Sequence, residues 1–207
     1  MGFYNDKIVP RLVTCACGTK PILKQREKVV PQAQGSVLEI GMGAGHNLPY
    51  YDPQRVQSIV GIDPCQTSWR LAASRAAQVG VPLDFVEGSA EKMPLPAAQF
   101  DTVLMTYSLC TIPDAHAALA EIGRVLKPGG SLVFCEHGQA PDPGVASWQE
   151  RINPLWRRLL GGCNINRPIV EWIESAGFAV QQLDQMYLPG TPRIAAFNMW
   201  GSARHAH

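Results

Sequence analysis

Apolar residues fall in short unbroken runs through the first two thirds of the chain, separated by longer stretches with three-to-four-residue spacing. The runs SVLEI (36–40), VQSIVGI (56–62), LDFVE (83–87), FDTVLMTYS (100–108) and SLVFCE (131–136) are rich in β-branched and other apolar residues, which predicts five buried strands. Between them, CQTSWRLAASRAAQVG (65–80) and DAHAALAEIGRVLKPGG (114–130) carry helical spacing. In the second, Ala118, Ile122, Val125 and Leu126 share a face, Asp114 is placed to cap the start, and Pro128-Gly129-Gly130 is placed to end it. Strand, helix and strand repeated in this way predict an α/β, doubly wound, mostly parallel sheet covered on both faces.

The last third changes character. SWQERINPLWRRLLGGCN (147–164) predicts an amphipathic helix interrupted or restarted at Pro154, and RPIVEWIESAGF (167–178) a helix closed by Gly177. FAVQQLDQMYL (178–188) and RIAAFNMWGSA (193–203) are candidate strands of an antiparallel hairpin joined by PGTP. Residues 137–166 then form an insertion able to cover the carboxyl edge of the sheet, and residues 1–30 a lid or substrate segment, within a single domain spanning 1–207.

Composition narrows the functional classes. At 207 residues with 46% hydrophobic content, the chain suits one domain with a sizeable core. The formal net charge is +1 and no basic run exceeds the pair Arg157 and Arg158, which excludes a nucleic-acid track and a polybasic membrane tether. The opening MGFYNDKIVPRLVTCACGTKP lacks the order of a signal peptide, and no apolar stretch reaches a membrane span. A cytoplasmic protein is expected, with IVPRLV leaving peripheral contact with a lipid surface open. Without a secretion signal, the six cysteines (Cys15, Cys17, Cys65, Cys110, Cys135 and Cys163) are expected as reduced thiols. None has Cys-x-x-Cys spacing, so no metal site is expected. A metalloid held by Cys110, Cys135 and Cys163 is the alternative to plain packing.

The glycine-rich stretch VLEIGMGAGHN (37–47) lies where a parallel sheet binds its ligand, at the carboxyl end of a strand. A dinucleotide fold calls for Gly-x-Gly-x-x-Gly. Here the order is Glu39-x-Gly41-x-Gly43-x-Gly45, with an acid two residues before the first glycine. A carboxylate there repels a pyrophosphate and suits an ammonium or a sulfonium, which favours S-adenosylmethionine over NAD. Asp63, eighteen residues after Gly45 at the end of the second strand, is the expected ribose carboxylate. Ser89, Ala90 and Glu91 in EGSAEKMPLP (87–96) are placed for an adenine edge, or form a solvated turn.

With VLEIGMGAGHN, GIDP, EGSAEKMPLP, FDTVLMTYSLCTIPD and EIGRVLKPGGSLVF in this order, the chain from about residue 30 resembles the class I S-adenosylmethionine-dependent methyltransferases. The resemblance implies a Rossmann-like seven-stranded sheet and a small-molecule substrate. It assigns Glu39 and Gly41 to the methionine end of the donor, Asp63 to ribose, and Ala90 with Glu91 to adenine. Gly43, Gly45, His46, Asn47, Pro64 and Ser89 complete the donor set, with Tyr107 and Ser108 on the wall near the sulfonium. Further on, SLCTIPD, LVFCEHG, WQERINPLW and GGCNINRP are similar to the alkyl thiol methyltransferase group (methyltransferase-like seven) and its short bacterial relatives. This implies S-methylation of a small apolar thiol, with a quinone, a phenol or a phospholipid amine as the alternative acceptor. The long apolar N-terminal anchor of the animal members is not matched here.

Methyl transfer is an in-line displacement in which positioning dominates. A thiol acceptor must become a thiolate, since its ordinary pKa is about 8.5. His137, just past the fifth strand and next to Glu136, is the candidate base, with Tyr107 as the third catalytic candidate; a buried hydrogen-bonding role is the alternative for His137. His46 is expected at a helix start, where the dipole disfavours imidazolium. His116 is expected solvated, and His205 and His207 in a tail. Tyr4, Tyr107, Trp148, Trp156, Trp172 and Tyr187 are candidates for an apolar acceptor pocket or for core. Arg167 is a candidate for an acidic acceptor or an ion pair.

Overall fold

The computed structural model describes residues 17–205. A helix, α1 (Lys20–Val29), precedes the glycine stretch, which itself follows β1 (Gly35–Ile40). Then come β2 (Val56–Asp63), α2 (Gln66–Ala76), β3 (Leu83–Glu87), β4 (Phe100–Thr106), α3 (Ala115–Val125) and β5 (Leu126–His137). The last third contributes α4 (Pro143–Leu159), α5 (Ile169–Ser175), β6 (Phe178–Tyr187), the single turn α6 (Arg193–Ala196) and β7 (Phe197–His205).

One seven-stranded sheet has the order β3-β2-β1-β4-β5-β7-β6. All neighbours pair in parallel except β7, which is antiparallel to both β5 and β6. The order reverses between β1 and β4, so their carboxyl ends open a crevice at the switch point. The doubly wound sheet and the terminal hairpin follow the sequence pattern.

The apolar runs work because side chains alternate across a strand. Leu38, Val103, Met105 and Phe134 pack on one face with Ala118, Leu119 and Ile122 of α3 and Ile169 and Ile173 of α5. Val37, Leu104 and Val133 point the other way, toward Val29 of α1 and Ala72 of α2. All are essentially buried, and each large side chain so removed from water contributes about 1.5–3 kcal/mol. Glu39 shares the face of Val37, which carries its carboxylate toward α1.

Several boundaries differ from the pattern. Helix α3 ends at Val125 and β5 begins at once, so Pro128-Gly129-Gly130 lies within β5, where the pairing with β4 shifts between Phe100/Leu126 and Thr102/Ser131. The apolar Leu126 pairs with a strand instead of extending the helix. Helix α4 starts earlier than expected and runs unbroken through Pro154. Proline removes one backbone bond there without ending the helix, and two side chains in the turns before it, Gln149 and Asn153, are anchored, as described below. Residues 193–196 are helical, so β7 starts at Phe197 and reaches His205, which packs edge-on against Phe178 instead of trailing in a tail. His116 is exposed as expected and lies beside Trp172. Tyr4, Cys15, His207 and the IVPRLV segment lie outside the described residues.

Candidate active site

Gly41, Gly43 and Gly45 all have positive φ, at 66°, 54° and 70°, a region that costs other residues roughly 1–2 kcal/mol. The turn they make is fixed from below. A Cβ on Gly41 would lie 2.5 Å from Ser108 Oγ, and one on Gly45 would lie 2.8 Å from Leu48 and 2.9 Å from Ala72. Gly43 is different: its Cβ would meet only the Gly41 carbonyl, at 3.8 Å. That edge of the loop is clear for a ligand to lie against. No α-helix follows. The loop runs into a single 3-10 turn, Leu48–Tyr50, with Pro49 inside it, so His46 does not sit at a helix N-terminus and the dipole argument does not apply to it.

Asp63 fastens this loop to the next element. Its Oδ2 accepts the Gly43 N–H at 2.9 Å and its Oδ1 accepts the Cys65 N–H at 2.8 Å. Burial pushes the carboxyl up, against the pull of those two N–H groups. Each oxygen keeps a second lone pair, so a pair of ribose hydroxyls would find acceptors already aimed. Pro64 is exposed beside it.

Glu39 is buried under the loop. Its Oε1 accepts from Asn47 Nδ2 at 2.9 Å and its Oε2 from the Tyr51 hydroxyl at 2.7 Å. Burial raises its carboxyl to about 7, against the hydrogen bond from Tyr51 and the charge of Arg26. Arg26, from α1, donates to Asn47 Oδ1 and to Thr106 Oγ1, both at 2.6 Å. Its guanidinium carbon lies 5.1 Å from the centre of the Tyr107 ring. Arg26, Tyr51 and Thr106 had no signal in the sequence: a lone arginine in KPILKQREKV reads as a solvated helix position, and only the packing of α1 over β4 and β5 brings it inside.

Beyond β3, Ala90 is buried in the core and the Ser89 hydroxyl donates to Glu91. Glu91 Oε1 also accepts the Asp114 N–H at 2.8 Å, while Asp114 caps α3 through Ala117 N–H at 3.0 Å. Glu91 therefore ties the turn after β3 to the start of α3.

At the other side of the crevice, Tyr107 leaves β4 with a φ of 53°, rare for a residue with a side chain. Its hydroxyl donates to Asn198 Oδ1 at 2.5 Å, and its ring lies 6.3 Å from that of His137. Ser108 Oγ donates to the Ile40 carbonyl at 2.8 Å, joining the turn after β4 to the end of β1. Glu136 is buried, and its Oε1 accepts the N–H groups of Ser108 at 2.7 Å and Leu109 at 3.0 Å. Burial raises its carboxyl in spite of these bonds. In this arrangement Glu136 fixes the β4 turn. His137 directs Nε2 at Cys163 Sγ, 3.2 Å away, so its nitrogen is already engaged with a thiol of this chain. Cys163 Sγ lies 3.9 Å from Cys110 Sγ. A hydrogen bond from Cys110 and the neighbouring His137 draw the Cys163 thiol well below its ordinary range.

The insertion after β5 delivers Cys163. Gln149 of α4 is buried and makes three bonds: Oε1 accepts Ala140 N–H at 2.8 Å, and Nε2 donates to the carbonyls of Gly138 at 3.1 Å and Ile194 at 3.0 Å. Asn153 Oδ1 accepts Ile165 N–H at 3.0 Å, and Asn164 donates through both N and Nδ2 to the Cys110 carbonyl, each at 2.9 Å. Arg167 donates to the carbonyls of Leu109 and Ile112 and lies over Trp172. It closes the same turn, and among the described residues it forms no ion pair. Trp148 is exposed and Trp156 and Trp172 are half-buried.

A family model described as "Methyltransferase domain" matches residues 38–134. The chain is 32% identical over 167 residues to the rat thiol S-methyltransferase TMT1B, covering 77% of this chain and 68% of that one. It is 30% identical over 178 residues to the human thiol S-methyltransferase TMT1A, covering 84% of this chain and 72% of that one. The solved structure of a SAM-dependent methyltransferase from Methanosarcina mazei superposes with a TM-score of 0.67 at 20% identity, covering 90% of this chain and 98% of that one.

Proposed function

The chain belongs to the class I S-adenosylmethionine-dependent methyltransferases, and on that footing we propose that it S-methylates a small apolar thiol. S-adenosylmethionine is the methyl donor; when bound it supplies an electrophilic methyl carbon on a positively charged sulfur. The clear edge at Gly43 and the two aimed oxygens of Asp63 fit such a nucleoside. In this reading Gly41, Gly43, Gly45, His46 and Asn47 border the methionine end and Glu39 meets its ammonium from below. Asp63 and Pro64 flank the ribose, and Ser89, Ala90 and Glu91 border the adenine.

The observation that carries the acceptor assignment is the contact of Cys163 Sγ with His137 Nε2 at 3.2 Å, at the carboxyl end of β5. The wall of the crevice already holds one sulfur in polar surroundings beside an imidazole, and an acceptor sulfur set next to Cys163 would share those surroundings. The two mammalian relatives named as thiol S-methyltransferases support this. Displacement at a sulfonium carbon needs a nucleophile held in line more than a strong base. His137 is the residue assigned to the acceptor sulfur, Tyr107 with Ser108 shields the methyl group from water, and Glu136 is a positioning residue that holds their turn. In this reading residues 137–166 cover the acceptor, and a cytoplasmic setting suits the reduced thiols. Among the described residues no helix is long and apolar enough to cross a membrane.

The test uses labelled S-adenosylmethionine with separate thiols, phenols, quinols and phosphatidylethanolamine. Label in alkyl or aryl thiols supports the assignment. Label in oxygen, carbon or amine acceptors with none in thiols would overturn it.

A further inference from the structure

Cys110, His137 and Cys163 come from three places in the fold: the turn after β4, the end of β5 and the stretch after α4. Their ligand atoms nevertheless all lie within 4.8 Å of one another. Two of the separations are 3.9 Å, sulfur to sulfur, and 3.2 Å, sulfur to Nε2. A tetrahedral zinc ion with bonds of about 2.3 Å to sulfur and about 2.05 Å to imidazole nitrogen has sulfur–sulfur edges of roughly 3.8 Å and sulfur–nitrogen edges of roughly 3.6 Å. The sulfur–sulfur separation is within about 0.1 Å of the first value and the sulfur–nitrogen separation about 0.4 Å short of the second, and ordinary packing of two cysteines does not require a histidine nitrogen as the third corner.

The cage is also held from outside. The Cys110 carbonyl accepts two bonds from Asn164, the residue after Cys163, and Asn153 donates to Asn164 Oδ1 at 3.1 Å. His137 is set by its place at the end of β5, opposite Asn198 of β7. Ligands fixed by such outer contacts lose little freedom when an ion enters. Two thiolates balance the charge of a divalent cation, and soft sulfur with imidazole selects a thiophilic metal over magnesium or calcium. Among the described residues, no fourth histidine, cysteine or acidic side chain joins the cluster.

We infer that Cys110, His137 and Cys163 form a three-ligand site for a thiophilic divalent cation, with zinc as its probe, and that the fourth position is open to a thiol. This proposal departs from the expectation of no metal site, which rested on the absence of Cys-x-x-Cys spacing; the three ligands are 27 and 26 residues apart and only the fold joins them. The cation site stands on the cluster alone, whereas the thiol in the fourth position rests on the acceptor reading above. An acceptor thiol taking that position gives its proton to solvent. Its sulfur then forms a bond to the methyl carbon as the carbon–sulfonium bond breaks, leaving a thioether and the neutral sulfide of the donor product.

Zinc is titrated into the full chain, reduced with a phosphine, in competition with a chromophoric chelator, and cobalt(II) is substituted to read thiolate-to-metal charge transfer. One equivalent binds, and the charge-transfer band changes when an alkyl thiol is added. Cys110→Ser and Cys163→Ser weaken zinc binding by more than the roughly 10–100-fold seen for loss of an outer partner, while Cys65→Ser leaves it unchanged. His137→Gln is the gentler third variant, and binding of S-adenosylhomocysteine checks that each variant is folded. Failure of the unaltered chain to bind zinc one to one, or equal affinity in the Cys110 and Cys163 variants, would overturn the site whatever the variants do to folding. Thiol methylation by a chain that binds no zinc removes the metal and keeps the acceptor reading. Zinc bound without any thiol turnover keeps the site and removes that reading.

Discussion

At the scale of single residues, the glycine loop and the acids beneath it do different work. Gly41→Ala would drive a Cβ into Ser108 Oγ at a φ of 66°, so it should lower stability by about 1–3 kcal/mol, read as a fall in the thermal midpoint. Gly43→Ala meets no such clash and carries only the positive-φ cost of about 1–2 kcal/mol, so it should lower the midpoint less than Gly41→Ala does and weaken S-adenosylhomocysteine binding in calorimetry more. The reverse ranking would contradict the assignment of the clear edge to the donor. Glu39 gives a pH signature. Its carboxyl lies near 7 in the fold against 4.5 for the free side chain, so the folded state holds a proton that the unfolded state has lost between those values. Its contribution to stability is present below pH 4.5, declines as pH rises toward 7, and is level above, a change of about 3 kcal/mol. Urea unfolding at pH 5 and pH 8 should show that decline in the natural chain and much less of it in Glu39→Gln; an identical decline in both would refute it. The sequence made Glu39 conspicuous by its spacing from the glycines. It gave no hint that Asn47 and Tyr51 already occupy the carboxylate, because those partners arrive through a 3-10 turn that the pattern reads as a helix start. Nor could it join His137 to Cys163, whose contact depends on how α4 is seated.

At the scale of elements, the strands were legible because alternation and full burial demand β-branched and apolar runs, and the tertiary packing agreed with the local preference. Boundaries at Pro and Gly were not. Pro128-Gly129-Gly130 reads as a helix stop, yet Leu126 already pairs with Phe100; Pro154 reads as a break, yet the helix runs through it, with Gln149 and Asn153 anchored in the turns just before it. Gln149 is the stronger anchor. Gln149→Ala would leave buried groups at Ala140 and Gly138 and a part-buried carbonyl at Ile194 without this partner, each buried one worth about 1–3 kcal/mol if no water replaces it. A loss of about 3 kcal/mol in chemical unfolding is expected, together with reduced turnover as the seat of Cys163 loosens. Unchanged stability would mean that α4 is placed by other contacts.

At the scale of the whole molecule, the reversal of strand order between β1 and β4 puts the glycine loop and the Tyr107 turn on one crevice, and the insertion after β5 seats Cys163 against His137 at the end of β5. The doubly wound sheet and the terminal hairpin were readable from strand and helix alternation, whereas the third dimension of the acceptor wall was not. A ligand that binds only the folded chain stabilises it by mass action: S-adenosylhomocysteine at a hundred times its Kd should add about 2.7 kcal/mol, with NAD adding nothing, as the glycine spacing requires. The acceptor is tested most directly within one molecule that offers both nucleophiles. With 4-mercaptophenol and methyl-labelled S-adenosylmethionine, nuclear magnetic resonance of the product should show the label on sulfur; a label on oxygen, with the thiol left free, would contradict thiol S-methylation.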